Sequence, residues 1–285
     1  MGQLTAGRMV SAIGRVVGPL IPKDWALRQR LRSWRSHLPS NQPDTPVSLV
    51  MDAMGKAFPQ AVFLQIGAND GALYDPMRRQ IHRRRWRGIM VEPVPEIFAR
   101  LQRNYRHLAP RIILENVAVS ARSGEQPFYH LAHENDPAAA GLPVWYHALG
   151  SFHKDVVLSH REHIPDIDDR LVERMVPCMT VNDLCQRHGF QAVDIVQTDT
   201  EGHDYEILKL LDLEHLRPKL VLYEHHHLAA PDRQAAHDLL RACGYEFFEY
   251  GYDTLAIHVA ALGPASTPLR QVWAQALALK ESTES

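Results

Sequence analysis

The sequence predicts an α/β protein built around one mostly parallel β-sheet with helices on both faces. From Val47 onward, short apolar runs typical of buried strands alternate with segments of helical length and periodicity. The runs that end at Ile66 and Val91 are each followed by glycine or acidic residues, as at the carboxyl edge of a parallel sheet. Two late runs are joined across residues 251–253, which predicts a hairpin. Together these observations predict a Rossmann-like, doubly wound sheet of seven strands, mostly parallel, with a terminal antiparallel hairpin.

The elements follow in a regular order, and Pro95 and Thr180 suit the starts of two of the helices. Predicted strands cover residues 61–66, 88–92, 112–115, 126–131, 193–198, 219–223, 245–250 and 254–259. Predicted helices cover residues 47–58, 75–85, 95–107, 181–188, 204–211 and 231–242. These elements form one domain over residues 47–265, and residues 266–285 are expected to form a short helix and a frayed tail.

Composition excludes several classes of function. The chain has 285 residues and is 45% hydrophobic, which is enough for one large domain with extensions. Its formal net charge of -2 gives no overall attraction to nucleic acid. The three cysteines form no CxxC pair and no zinc site, and we expect them to be reduced, as in a cytoplasmic protein. No apolar run reaches the roughly 18 residues of a membrane-spanning helix.

Residues 1–46 differ from the rest of the chain, because they carry many arginines and only two acids, Asp24 and Asp44. Val10, Ile13 and Val17 recur at helical spacing, which predicts a basic amphipathic helical arm, and a proline-rich linker follows it. One interpretation is contact with an anionic membrane surface, at the inner face of the membrane, or with a partner chain. The other is a helical cap packed on the domain or across a homodimer.

Residues 132–177 interrupt the alternation of strands and helices and are too long for a plain loop. We predict an insertion that covers the site as a lid and selects the substrate; the alternative is an extra helical layer without a catalytic part. Phe152 and His153 in this segment, together with His225, are the predicted substrate contacts. Aromatic and histidine side chains here favour a polar acceptor that contains a ring, such as a sugar.

A glycine turn, Gly67-Ala-Asn-Asp-Gly71, follows the first strand. It lacks the G-x-G-x-x-G ladder that brings a dinucleotide pyrophosphate to a helix N-terminus. An acidic turn suits a positively charged ligand without phosphate, and S-adenosylmethionine (SAM) is such a ligand. Glu92, at the end of the second strand, has the spacing of an acid that binds ribose hydroxyls. The predicted cofactor-binding residues are Gln65, Gly67, Asn69, Asp70, Gly71, Glu92, Asn116, Val117 and Asp199.

A second motif, Asp199-Thr-Glu-Gly-His203, ends the fourth parallel strand and faces the same crevice. We predict His203 as the general base, with Asp199 or Glu201 orienting it, because a histidine titrates near working pH. Capping of the following helix is the alternative role for Asp199 and Glu201. No metal ligands are assigned; Mg²⁺ on Asp199 and Glu201 is the alternative to a base.

These motifs resemble those of the FkbM-type SAM-dependent methyltransferases. The resemblance covers residues 47–260 and rests on Phe63 to Gly71, Val91-Glu-Pro93, Glu115 to Ala118 and Asp199 to Leu208. It implies SAM as the cofactor and methylation of a hydroxyl group on a sugar, polyketide, glycan or related natural product. The alternatives are an NAD-dependent oxidoreductase on the same fold and a non-catalytic, membrane-associated scaffold protein with a degenerate pocket.

Overall fold

The computed structural model describes residues 45–284. Its helices are α1 (Pro46–Ala57), α2 (Arg78–Arg83), α3 (Pro95–Tyr105), α4 (Lys154–Leu158), α5 (Ile167–Arg170), α6 (Val181–Arg187), α7 (Asp204–Leu210), α8 (Leu213–Leu216), α9 (Ala230–Ala242) and α10 (Ser266–Glu284). Its strands are β1 (Val62–Ile66), β2 (Arg87–Val91), β3 (Ile112–Glu115), β4 (Ala118–Val119), β5 (Gly124–Leu131), β6 (Gly150–Ser151), β7 (Leu171–Met179), β8 (Ile195–Thr198), β9 (Leu220–Glu224), β10 (Tyr245–Tyr250) and β11 (Asp253–His258). The predicted arm lies outside the described residues, apart from its last two positions.

The main sheet confirms the predicted fold class. Its seven strands have the order β10-β11-β9-β8-β1-β2-β3. Neighbouring strands from β9 to β3 are parallel, whereas β10 and β11 form the antiparallel hairpin. The strand order reverses between β1 and β8, so the carboxyl ends of these two strands border the crevice where α/β proteins bind ligands.

Both faces of this sheet are buried, which explains why its strands are continuously apolar. Phe63 of β1 belongs to a core that also contains Met54 and Trp86, on the side of α1. Its neighbour Leu64 points to the opposite face and joins a second core with Ile207 and others. Thr180 caps α6 by accepting a hydrogen bond from the Asp183 backbone N–H, as the sequence predicts.

The segment between β5 and the main sheet contains more strand than the sequence suggests. β7 pairs antiparallel with the whole of β5, in a second, four-stranded sheet of order β4-β7-β5-β6. Charged Glu173 and Arg174, and Pro177 inside the strand, conceal β7 from a reading based on strand propensity. The short helices between β6 and β7 pack around a small core of their own that includes Tyr146, Val157 and Ile164.

The C-terminal helix α10 is longer than expected, with 19 residues in place of a short helix and a frayed tail. Leu269, Trp273 and Ala276 recur at helical spacing and are buried in the core beside α1. The Trp273 ring lies 4.6 Å from the ring of Phe248. Among residues 45–284, no helix combines the length and the hydropathy needed to cross a membrane.

Because Trp273 is buried, its replacement should test whether α10 belongs to the domain core. Trp273→Ala should lower the free energy of unfolding by about 3–5 kcal/mol, since it removes a large buried ring and leaves a cavity. Gln275→Ala, on the exposed side of the same helix, should change it by less than about 0.5 kcal/mol. Urea denaturation of both variants gives the comparison. Equal, small effects would mean that the helix does not pack on the core.

Candidate active site

A cavity of about 60 Å³ lies at the carboxyl ends of β1, β2 and β8. Its lining residues are Ile66, Gly67, Asn69, Val91–Val94, Val117–Val119, Phe128, His147–Gly150, Phe152 and Asp199–Glu201. The ends of the central strands therefore form one wall, and the inserted segment forms another.

The glycine turn after β1 is held by backbone contacts on both sides. The Gly67 N–H donates to the Val91 carbonyl oxygen at 3.0 Å, and Gly67 has a φ of +75°. A Cβ at this position would lie 1.8 Å from the carbonyl oxygen of Asp199. Only glycine combines this backbone conformation with such a close approach.

Glu92, the acid predicted to bind ribose hydroxyls, is buried beside this turn. Its Oε2 accepts a hydrogen bond from the Asn69 N–H at 3.1 Å, and its Oε1 accepts one from the Val94 N–H at 2.8 Å. Burial raises the pKa of Glu92 to about 7, against the effect of these two hydrogen bonds. Each oxygen keeps a lone pair with which it can accept a further hydrogen bond.

The other predicted cofactor residues divide into two groups. Gly67, Asn69, Glu92, Val117 and Asp199 line the cavity. The remaining four do not line the cavity but support the turns behind it: Gln65, Asp70, Gly71 and Asn116. Gln65 Nε2 donates to Asp75, and Asp70 accepts from two backbone N–H groups. The Tyr105 hydroxyl donates to the Gly71 carbonyl, and Asn116 Nδ2 donates to the carbonyls of Glu92 and Pro93.

The loop after β8 brings two acids to the cavity. Asp199 is open to solvent on the side of the cavity. Loss of hydration on its other sides, together with the negative charges of Glu201 and Asp204, raises the pKa of Asp199 well above its usual range. Glu201 has a left-handed backbone with a φ of +51°, which is unusual for a residue other than glycine. Its carbonyl oxygen accepts a hydrogen bond from Ser151 Oγ at 2.7 Å. The insertion is thus joined directly to the acidic loop.

Asp204, to which the sequence assigns no role, fixes the shape of this loop. It is fully buried; its Oδ1 accepts from Thr198 Oγ1 at 2.5 Å, and its Oδ2 accepts from Thr200 Oγ1 at 2.9 Å and from the Thr200 N–H at 3.2 Å. The sequence pattern that could have indicated this role is an acid at the first position of α7 that follows two threonines.

His203 lies apart from the partners predicted for it. Its ring packs 4.8 Å from the Phe152 ring and 5.7 Å from the His153 ring, and neither His203 nor His153 lines the cavity. Both ring nitrogens of His203 are buried without a hydrogen-bond partner among the described residues, and burial lowers its pKa to about 4. The structure does not bring Asp199 or Glu201 to this ring, and its role as a base stays a prediction.

The histidine that approaches the acidic loop is His227. His225, predicted as a substrate contact, does not line the cavity. His225 is buried, with Nδ1 at 3.0 Å from Thr254 Oγ1. His227 Nε2 lies 2.9 Å from Glu201 Oε2 and 3.7 Å from Glu224 Oε1. Since β9 ends at Glu224, the alternation of side chains along a strand does not extend to residues 225–227, which form a turn.

One group of side chains in the described part of the chain has the arrangement of metal ligands. Ligand atoms of His160, Glu201 and His227 all lie within 4.8 Å of one another. This group differs from the pair considered for Mg²⁺, because it contains two imidazoles and omits Asp199. Nothing in the described residues supports magnesium, which prefers oxygen ligands.

A sequence model of the methyltransferase FkbM domain matches residues 65–247, which is more than half of the chain. The chain belongs to the FkbM methyltransferase family. The match begins within β1, ends within β10 and includes both the glycine turn and the acidic loop. No curated protein matches the chain.

Solved structures of methyltransferases are similar to this FkbM-family chain at low sequence identity. The methyltransferase FkbM from Methylobacillus flagellatus KT is 13% identical, with a TM-score of 0.47 over 88% of this chain and 59% of that one. The O-methyltransferase from Bacillus cereus, in complex with SAH, is 10% identical, with a TM-score of 0.43 over 87% of this chain and 97% of that one. Aeropyrum pernix fibrillarin, with bound SAM, is 13% identical, with a TM-score of 0.37 over 81% and 76%. This chain therefore spans about three fifths of the Methylobacillus protein.

The acceptor bonds of Asp204 predict a measurable effect on the acidic loop. Asp204→Ala should lower the free energy of unfolding by roughly 1–3 kcal/mol, because buried hydroxyl and N–H donors lose their partner. Glu206→Ala, two residues later on the exposed face of α7, should stay within about 0.5 kcal/mol of the parent. Thermal and urea unfolding provide both values. A loss no greater than that of Glu206→Ala would show that Asp204 does not fix the loop.

Proposed function

We propose that this FkbM-family protein is an O-methyltransferase, which transfers the methyl group of SAM to a hydroxyl group of a sugar, polyketide or related acceptor. The observation that carries the proposal is the acid-lined cavity at the carboxyl ends of β1, β2 and β8. Besides His147, the ionisable residues among its lining are Glu92, Asp199 and Glu201, all acids. Such a lining favours a ligand with a positive charge and disfavours one with a phosphate.

The residues that line the cavity fit the parts of SAM. Glu92 has lone pairs for ribose hydroxyls, and the turn at Gly67 and Asn69 offers backbone carbonyl oxygens to the ammonium group of the amino acid end. Val117 and Val94 offer apolar surface for the adenine ring. Asp199 supplies a negative charge to the same cavity.

SAM, when bound, supplies an activated methyl group whose leaving group is a neutral thioether. The residues of the chain then have two tasks, to position the acceptor oxygen and to take its proton. Glu201 lines the cavity and is a carboxylate whose pKa is raised to about 8, mainly by burial. We propose Glu201 as the group that accepts this proton, in place of His203, whose ring does not reach the lining.

The insertion forms the wall opposite the strand ends, and we propose that it contacts the acceptor. Phe152 lies edge-on to Phe128 with ring centroids 5.2 Å apart, and both line the cavity. An aromatic face of this kind packs against the C–H surface of a sugar or a polyketide ring, and His147 and Glu201 add polar groups beside it. His153 is outside this wall.

Binding of the cofactor is the first expected result. SAM and S-adenosylhomocysteine should both bind with low-micromolar Kd in isothermal titration calorimetry, and Asp199→Asn should weaken SAM binding by at least about 10-fold, because it removes a negative charge from the cavity. Asp238→Asn, an exposed acid of α9, is the matched control and should leave both affinities unchanged. Failure of the folded parent to bind either ligand would remove the proposal.

The raised pKa of Glu92 gives an expected pH dependence. Ribose hydroxyls donate to the ionised carboxylate, so the bound state has a lower Glu92 pKa than the free state, where it is about 7. Affinity should therefore rise with pH from about 5.5 and level off above about 7. Glu92→Gln should weaken binding by roughly 10-fold or more and remove this rise. Titrations of parent and variant across this pH range make the comparison, and parallel pH profiles would contradict a role for Glu92.

A further inference from the structure

Three separate elements bring His160, Glu201 and His227 together. His160 lies in the helical turn Ser159–Glu162 of the insertion, Glu201 lies in the loop after β8, and His227 follows β9. The last two loops are in close contact, because a Cβ at Gly202 would lie 3.4 Å from the His227 carbonyl oxygen. The rings of His160 and His227 have centroids 5.2 Å apart. The grouping is therefore a product of the fold and not of neighbouring positions in sequence.

The hydrogen bond of His160 leaves one defined nitrogen for a ligand. Its Nδ1 lies 3.1 Å from the Val156 carbonyl oxygen, which can only accept a hydrogen bond. Nδ1 therefore carries the proton, and Nε2 of the neutral ring has a free lone pair. A backbone carbonyl in this position is the usual partner of a metal-binding histidine, because it fixes both the tautomer and the ring orientation.

The spacing of the three side chains suits one small ion. Ligand atoms at roughly 2.0–2.1 Å from a tetrahedral zinc lie roughly 3.3 Å apart. The distance between His227 Nε2 and Glu201 Oε2 is 2.9 Å, and the whole group is within 4.8 Å. Small side-chain movements would equalise these separations. The side chains of His227 and Glu201 are each only 13% exposed, so little water competes for the position.

Glu224 provides an independent observation at the same place. The residue is 8% exposed, its Oε1 lies 3.7 Å from His227 Nε2, and its Oε2 has no hydrogen-bond partner among the described residues. A buried carboxylate oxygen without a partner is costly, and a cation beside it removes that cost. Glu224 lies outside the group of three ligands, but it is close enough to neutralise part of the charge of an ion held there.

We propose that His160, Glu201 and His227 form a binding site for a divalent transition-metal ion of the zinc class. Two imidazoles and one carboxylate are a ligand set of zinc sites that keep a position open for a further ligand. The same set excludes the alternative of Mg²⁺, a hard ion that takes oxygen ligands. The assignment goes beyond the proposed methyl transfer and stands without it, because it rests on the ligand group alone.

The site borders the cavity through Glu201, which belongs to both. A carboxylate that gives one oxygen to an ion keeps the second for another partner. An ion held here would therefore lie beside the cavity, and of its three ligands only Glu201 belongs to the lining.

The test uses full-length, tag-free protein that has been stripped with a chelator and dialysed, with Zn²⁺ alone as the probe. The parent should retain about one equivalent of Zn²⁺ after gel filtration, and added Zn²⁺ should raise its Tm. His160→Ala and His227→Ala should each weaken Zn²⁺ binding by at least about 100-fold, since each removes one of three ligands. Co²⁺ in place of Zn²⁺ should give an absorption spectrum of a four- or five-coordinate ion in the parent and not in these variants.

Matched controls separate ligand loss from disturbance of the fold. The controls are His163→Ala and His226→Ala. His163 contacts Trp145, as His160 does, and the His226 ring lies next to that of His227, but neither residue belongs to the ligand group. Both should bind Zn²⁺ like the parent. Glu201→Gln, which changes almost no volume, should lose binding if the alanine variants prove unstable. Absence of Zn²⁺ binding in the folded parent, or equal binding by the ligand variants and the controls, would overturn the site. Since SAM is absent from these measurements, either outcome leaves the calorimetric test of the proposed function independent.

Discussion

The contact between the backbones of Gly67 and Asp199 sets the geometry of the cavity. The Asp199 N–H donates to the Ile66 carbonyl at 3.0 Å, which extends the pairing of β1 with β8 by one residue beyond the strands. The carbonyl of Asp199 then occupies the space that a side chain at Gly67 would need. Both turns leave the sheet from this point, one toward Glu92 and the other toward Glu201. The cavity is therefore formed by strand ends that cannot move independently.

The acidic side of the cavity is unfavourable by itself. Burial raises the pKa of all three acids of the lining, Glu92, Asp199 and Glu201, and the nearby Glu201 and Asp204 raise the pKa of Asp199 further. A fold gains nothing in stability from several buried acids near one another, and it tolerates them only where protons or cations compensate. A positively charged ligand in the cavity would supply that compensation, which gives a physical reason for the composition of this wall.

Much of the fold follows from the sequence, because the spacing of apolar residues and the residues that end each strand are local properties of the chain. The strand ends at Ile66 and Thr198 and the spacing of Glu92 were sufficient to predict the sheet and one wall of the cavity. Prediction failed where a distant contact decides the outcome. β7 is a strand because β5 pairs with it, although its own residues, including Pro177, argue against a strand. The ring of His203 turns toward Phe152, and no local pattern indicates that direction.

The histidines after β9 show the same limit in a different form. His225 follows the strand directly and was predicted to contact the substrate. The strand ends at Glu224, however, and the turn that follows brings His227 close to Glu224. Their neighbour in space, His160, belongs to the insertion and has no sequence relation to them.

Glu201 connects these separate parts of the molecule. Its backbone is held in an unfavourable left-handed conformation, its carbonyl is bonded to Ser151 of the insertion, and its carboxylate lies between the cavity and His227. The second sheet gives the insertion a fixed frame, so this bond holds the opposite wall of the cavity in register with the acidic loop. Because the insertion is anchored in this way, its sequence can vary while the distance between its wall and the strand ends stays the same. Substitutions at Phe152 and its neighbours can then change the shape of this wall without loss of the geometry at Glu92 and Asp199.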